Sequence, residues 1–492
     1  MRKQIREQIV ELLPTIREGI EYACQVQSLH NATTILEDCH LALTSITNNL
    51  KSELTSVRFA YYNDLLTQMT DSLAFIQNLI TRGQSATDWA SQFSNLLGAL
   101  NHELISGPES KISIVFMPYK SSMWDSLESI WIAASTDANC NAKVVPIPYY
   151  DRNPDRSLGT LHYEGEDLPD YVPVVHYDDY DLAEQRPDIA YIHNPYDEYN
   201  LVTSVDPRYY SSQLKKHAGT LVYVPYFISG AYANIQVFAQ KHLTNSVSFV
   251  DKIIVQSNLH KQLYMECGIN ERKLLALGSP KLDVIANLSR DNANIPIEWT
   301  KKLVGKKSIV LNSSIGALLN DPNYFIKLKR RISIILSYRD LVLIWRPHPL
   351  LEATITSMKP SWHNEYQEMI RMIENADNGI LDKAASTAPA TIVSDAMISD
   401  ISSWVRQYIA TGKPVLMLNG RSEMKNERIC VFDHFSCYFY YDGYSIEDFC
   451  GMLIQGTDPN KESRLSDLRN SVLNLDGSCG QQIHDQVISA LE

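Results

Sequence analysis

The chain has 492 residues, too many for one hydrophobic core, so two or three domains are expected. Hydrophobic residues make up 45% and charged residues 21%, and the formal net charge of −13 argues against a general nucleic-acid binder, which needs a basic face. No apolar run approaches the roughly 18–20 residues that span a bilayer. Polar residues follow Met1-Arg2-Lys3-Gln4 where a signal peptide needs its apolar stretch, so a cytosolic location is expected. The eight cysteines form no CxxC pair and read as buried thiols; no disulfide, metal or cofactor is expected.

Residues 1–106 contain one proline, Pro14, and apolar residues at helical spacing: Leu65, Met69, Leu73, Ile76 and Ile80. A bundle of three or four helices is predicted, with a turn and cap at Asn31-Ala32-Thr33-Thr34. The bundle reads as a structural or dimerisation unit or as a docking surface. It carries no strongly basic amphipathic face that would favour a membrane.

From Gly107 short β-rich runs alternate with polar helical stretches. Strands are predicted at 112–117, 143–147, 172–176, 188–193, 220–224 and 252–255, with an ordered loop of limited secondary structure over Tyr149 to Asp181. The pattern restarts near residue 305. Strands are predicted at 308–312, 341–345, 396–399 and 414–418. Helices are predicted at 321–338 and from Ile401 to about Thr411, with a mostly helical end from Ile446. The fold class is therefore α/β, with a helical bundle (1–106) before two Rossmann-like lobes (107–295 and 296–492) in a GT-B-like arrangement. Ligands of such sheets bind beyond the carboxyl ends of the strands.

Those strand ends carry the candidate chemistry. After 396–399 come Asp400, Ser402 and Ser403 at a helix start, then Gly412-Lys413-Pro414. This is either a helix cap or a phosphate cradle of hydroxyls and free N–H groups. After 341–345 come Arg346-Pro347-His348-Pro349, where two prolines stiffen the mount of a permanent cation and a titratable imidazole. Ser313 and Ser314 follow the first strand of the last lobe. Lys281 lies in the turn Gly278-Ser279-Pro280-Lys281-Leu282-Asp283, and His193 and Asp197 end a strand of the middle lobe.

Taken together, these motifs resemble the CDP-glycerol glycerophosphotransferase family of teichoic-acid polymerases and primases. The Arg-x-His-Pro element is matched by 346–349. The (Ser/Thr)-Asp-Tyr-Ser-Ser element is matched by 399–403, with Ile401 in place of Tyr. The Gly-x-Pro-(Arg/Lys)-x-Asp turn is matched by 278–283. The resemblance covers roughly residues 110–455. The family's Trp-His-Gly element has no counterpart histidine in Val222-Tyr223-Val224-Pro225-Tyr226-Phe227-Ile228-Ser229-Gly230, which puts the catalytic base in question.

The resemblance implies a two-lobed transferase taking a CDP-linked donor. Arg346, His348, Asp400, Ser402, Ser403, Ser313, Ser314 and Lys281 would lie on the donor's phosphates, with His348, His193 or Asp197 as the catalytic group. The acceptor would be a polyol phosphate or glycan, with lipid linkage and peripheral attachment at the inner membrane face as an option. No nucleic acid is expected, and the N-terminal helices are the expected surface for self-association or a partner. Two other readings stay open: a GT-B glycosyltransferase using a nucleotide-sugar, and a non-catalytic nucleotide-binding or scaffolding protein.

Overall fold

The computed structural model describes the chain except residues 108–110, 154, 201, 349–350, 385, 401, 419–428, 431–436, 441–442 and 492. It divides into two compact units. The first comprises Met1–Val224, Thr244–Ile253 and Ile483–Glu492; the second comprises Pro225–Leu243 and Ile254–Gln482.

In the first unit, α1 (Lys3–Gln25), α2 (Leu29–Glu53), α3 (Ser56–Thr81) and α4 (Thr87–Ser106) form the N-terminal bundle. Pro14 sits inside α1. The predicted turn at 31–34 lies inside α2; the break falls earlier, and Ser28 caps α2 by accepting from the Asn31 N–H. Leu13, Ile16, Leu36, Leu43, Met69, Leu73, Phe93 and Leu97 recur at helical spacing and fill one core. Buried Glu53 at the end of α2 accepts from Arg2 and Arg186, and Asp188 accepts from the N–H groups of Lys3 and Ser113. These two carboxylates tie the bundle to a parallel sheet within the unit.

That sheet contains β1 (Ile112–Met117), β2 (Cys140–Val144), β3 (Ile189–Ile192), β4 (Thr220–Tyr223) and β5 (Lys252–Val255), in the order β5-β4-β3-β1-β2. The helix α5 (Glu128–Thr136) leads into β2. The predicted strand at 172–176 is reduced to one bridge, Val144 to Val174. The expected loop 149–181 holds two short strands, Tyr149–Arg152 and Leu158–His162, in a small antiparallel sheet with Thr203–Val205.

In the second unit, α6 (Ile235–His242) and α7 (Asn258–Glu266) come before β6 (Leu274–Ala276), which leads into α8 (Pro280–Ala286). A second parallel sheet follows, of β7 (Lys307–Ser313), β8 (Leu341–Pro347), β9 (Gly379–Leu381), β10 (Ala396–Ser399), β11 (Val415–Met417) and β12 (Tyr438–Phe439). Its order is β9-β8-β7-β10-β11-β12. Helices cover both faces, so β8 is buried at every residue. Leu341, Leu343 and Trp345 enter one core, and Val342 and Ile344 enter the other. The last helix is α9 (Cys479–Ser489). Among the described residues, no helix is long and apolar enough to cross a membrane.

Candidate functional site

The strand order of the second sheet reverses between β7 and β10. In open α/β sheets that reversal opens a crevice at the strands' carboxyl ends, where ligands bind. Register places Asn312 beside Arg346 on one side and Ser399 on the other. The Asn312 amide donates to Ser399 Oγ at 2.9 Å and to Ser402 Oγ at 3.1 Å, linking two loops. Ser402 caps the short helix Ser403–Ile409 by accepting from the Val405 N–H. Ser314 caps Ile315–Asn320 and donates its hydroxyl to Asp400 Oδ2 at 2.7 Å.

Asp400 is 8% exposed, and its Oδ1 has no hydrogen-bond partner among the described residues. Burial pushes its pKa up, opposed by the Ser314 hydrogen bonds. An ionised Asp400 would repel a phosphate, so this carboxyl suits a ligand hydroxyl or amine better than the donor phosphate expected for it. His348 is exposed beyond β8. Its backbone N–H donates to the Ser313 carbonyl at 3.1 Å, which fixes it at the same end of the sheet, and partial burial lowers its pKa.

Three expected phosphate ligands have other surroundings. The Arg346 guanidinium, 6% exposed, pairs with Asp382 at 2.6 Å, donates to the carbonyls of Ser386 and Ala384, and lies over the Trp404 ring. It organises the loop after β9. Ser313 is buried and accepts from Trp345 Nε1. Lys281 is partly buried on α8. The remaining motif residues around it are structural. Gly278 takes φ +104°, Pro280 starts the helix, and Asp283 accepts the N–H groups of Cys479 and Gly480 at the start of α9. The Ser403 side chain, Ile401 and Pro349 lie outside the described residues.

The two expected bases belong to the first unit. His193 has no exposed surface. The Tyr119 N–H donates to its Nε2 at 3.1 Å, so the ring proton sits on Nδ1, 3.1 Å from Ser126 Oγ. Asp197, at φ +46° and 2% exposed, accepts from the N–H and hydroxyl of Ser211 at the start of the helix Ser211–His217. Burial raises its pKa to about 6. Both are engaged in holding their own loops.

No motif pointed to a buried histidine network in the second unit. Gln256 clamps the backbone of Ser229, accepting its N–H at 2.8 Å and donating to its carbonyl at 3.2 Å. Ser229 Oγ lies 3.5 Å from His242 Nε2 and 3.4 Å from His260 Nε2; Tyr232 and Tyr264 hydroxyls contact His242 at 2.6 and 3.2 Å. His260, Ser229, Gln256, Phe227 and Ser279 line a cavity of about 10 Å³, room for one water molecule. The three chain segments involved carry no recognisable spacing. The only available hint was a serine and glycine, Ser229-Gly230, in the stretch where the resemblance expected histidine and glycine.

The family model for CDP-glycerol:poly(glycerophosphate) glycerophosphotransferase matches residues 228–471. Over residues 228–471, just under half of the chain, the sequence is similar to this family. The match takes in both the β7–β10 crevice and the Ser229 network. No curated protein matches the sequence. Among solved structures, a UDP-N-acetylglucosamine 2-epimerase aligns with a TM-score of 0.50 at 12% identity, over 77% of this chain and 96% of that one, which is a likeness of fold. The wall teichoic acid polymerase TagF aligns with a TM-score of 0.49 at 14% identity, over 88% and 98%. MnaA of S. aureus with UDP aligns with a TM-score of 0.47 at 14% identity, over 77% and 98%.

Proposed function

We propose that the matched region binds a CDP-linked polyol phosphate, CDP-glycerol first, and transfers the polyol phosphate to an acceptor hydroxyl in cell-surface polymer synthesis. The observation that carries this reading is the family match, whose span includes the polar side chains gathered at the sheet's switch point. Ser314, Ser402 and His348 would hold the pyrophosphate, Asn312 would keep the two serine loops together, and Asp400 Oδ1 would accept from a ligand hydroxyl. The acceptor oxygen attacks the β-phosphorus, the bond to the α-phosphate oxygen breaks, CMP leaves, and the acceptor proton passes to a base or solvent. Catalysis then rests on positioning and charge stabilisation.

One observation favours a second reading, nucleotide binding without transfer. Ser229 stands where the resemblance expected a histidine, and His193 and Asp197 are both committed to local structure. Thermal shift with CDP-glycerol, CMP, UDP and UDP-sugars, against His348→Ala, tests the donor site. Stabilisation by cytidine ligands alone, lost in the variant, supports a CDP-linked donor. Uridine ligands acting instead would favour a nucleotide-sugar, and no shift with any of them would overturn both. CMP release with a polyol-phosphate acceptor then separates transfer from binding alone.

A further inference from the structure

Three side chains with metal-binding atoms converge in the first unit, and none belongs to the crevice or the histidine network. Asp137 ends α5, Cys140 opens β2, and His484 lies on α9. Asp137 and His484 are 347 positions apart in the chain. Asp137 Oδ2 lies 3.0 Å from His484 Nε2 and 3.5 Å from Cys140 Sγ, and the three atoms all fall within 4.8 Å of one another. Cys140 and His484 are buried, whereas Asp137 is partly open to solvent. The other carboxylate oxygen of Asp137 accepts the Asn139 N–H at 2.9 Å, which fixes the direction of Oδ2.

We propose that Asp137, Cys140 and His484 form a zinc site with a solvent molecule as fourth ligand. A sulfur, a nitrogen and an oxygen donor suit zinc, whereas magnesium and calcium take oxygen alone. Separations of this order fit three corners of a tetrahedron around an ion with bonds of about 2.0–2.3 Å. Asp137 is partly exposed, so the ion and its water would enter from its side. On binding, the Cys140 proton leaves to solvent and the sulfur bonds the metal as thiolate. His484 offers the Nε2 lone pair and keeps its ring proton on Nδ1. Metal uptake therefore releases a proton. The ion would staple the α5–β2 turn to α9.

The test is elemental analysis of the whole chain after desalting, followed by cobalt exchange. About one zinc per chain is expected, with a thiolate-to-cobalt charge-transfer band after exchange. Cys140→Ser should abolish the band and cut zinc content about tenfold or more, while Cys267→Ser, at a partly buried cysteine elsewhere, leaves both unchanged. Should Cys140→Ser misfold, Asp137→Asn keeps a hydrogen-bond acceptor and must still lose zinc, with its circular dichroism intact. Zinc far below one per chain after zinc loading, a cobalt spectrum without the sulfur band, or unchanged content in a folded Asp137→Asn protein would each overturn the site.

Discussion

Arg406 donates from its helix to the carbonyl of Ile228 at 3.0 Å, so the helix that follows the Asp400 loop also holds the backbone entering Ser229. The guanidinium lies where a Cβ on Gly230 would stand. Gly230→Ala therefore meets the end of a flexible side chain and should cost about 1 kcal/mol or less. Gly278→Ala differs, because its φ is +104° and the added carbon meets the Leu473 carbonyl oxygen. A loss of about 2 kcal/mol or more is expected for it. Urea unfolding of the two variants side by side checks the contrast.

The Arg346–Asp382 pair is buried on both sides. Asp382→Ala leaves the guanidinium uncompensated and should destabilise the protein by about 3 kcal/mol. Arg346→Met with Asp382→Leu should recover much of that loss. If Asp382→Ala melted like the parent while abolishing CDP-glycerol binding, the structural role given to Arg346 would be wrong.

Asn312 bridges Ser399 and Ser402. Asn312→Ala frees both serines of the single connection after β10, and, on the proposed donor site, CDP-glycerol affinity should fall about tenfold, the equivalent of about 1.4 kcal/mol. Isothermal titration measures this directly. An unchanged affinity would remove Asn312 from the donor site.

Burial keeps His242 and His260 neutral in the folded protein, lowering the first to about 4 and the second well below the ordinary 6.5. The unfolded chain takes up these protons near pH 6.5, and the folded chain only further down. The stability they contribute is complete above 6.5 and is lost as pH falls through the folded values. From His242 alone the loss between pH 6.5 and 4 is on the order of 3 kcal/mol. Chemical denaturation across that range should show the decline, and His242→Gln should flatten it.

The parallel sheets were legible because buried strands such as 341–345 read as unbroken apolar runs, and the crevice was legible because its residues directly follow those runs. Less readable was what each polar group faces. Arg346 looks like a phosphate ligand until Asp382, 36 positions later, is seen beside it. Asp283 lies in a recognised motif, yet its partners are amides 196 and 197 positions away. His242 and His260 carry no local pattern because their meeting depends on two helices packing around Ser229. Likewise a search for closely spaced cysteines passes over Asp137, Cys140 and His484, whose third member comes from the far end of the chain.

The first unit takes in Ile483–Glu492 as well as the bundle and the first sheet. During synthesis its bundle and the strands β1 to β4 leave the ribosome before the second unit's residues, but Thr244–Ile253 emerges between two pieces of that unit and the closing helical segment after all of it. Domains made of contiguous chain fold as they appear; this one must wait with a piece missing while its neighbour is made. Cutting the chain at a single point, at 295 or elsewhere in the middle, would therefore strand parts of both units, and half-length expression should yield aggregation-prone fragments.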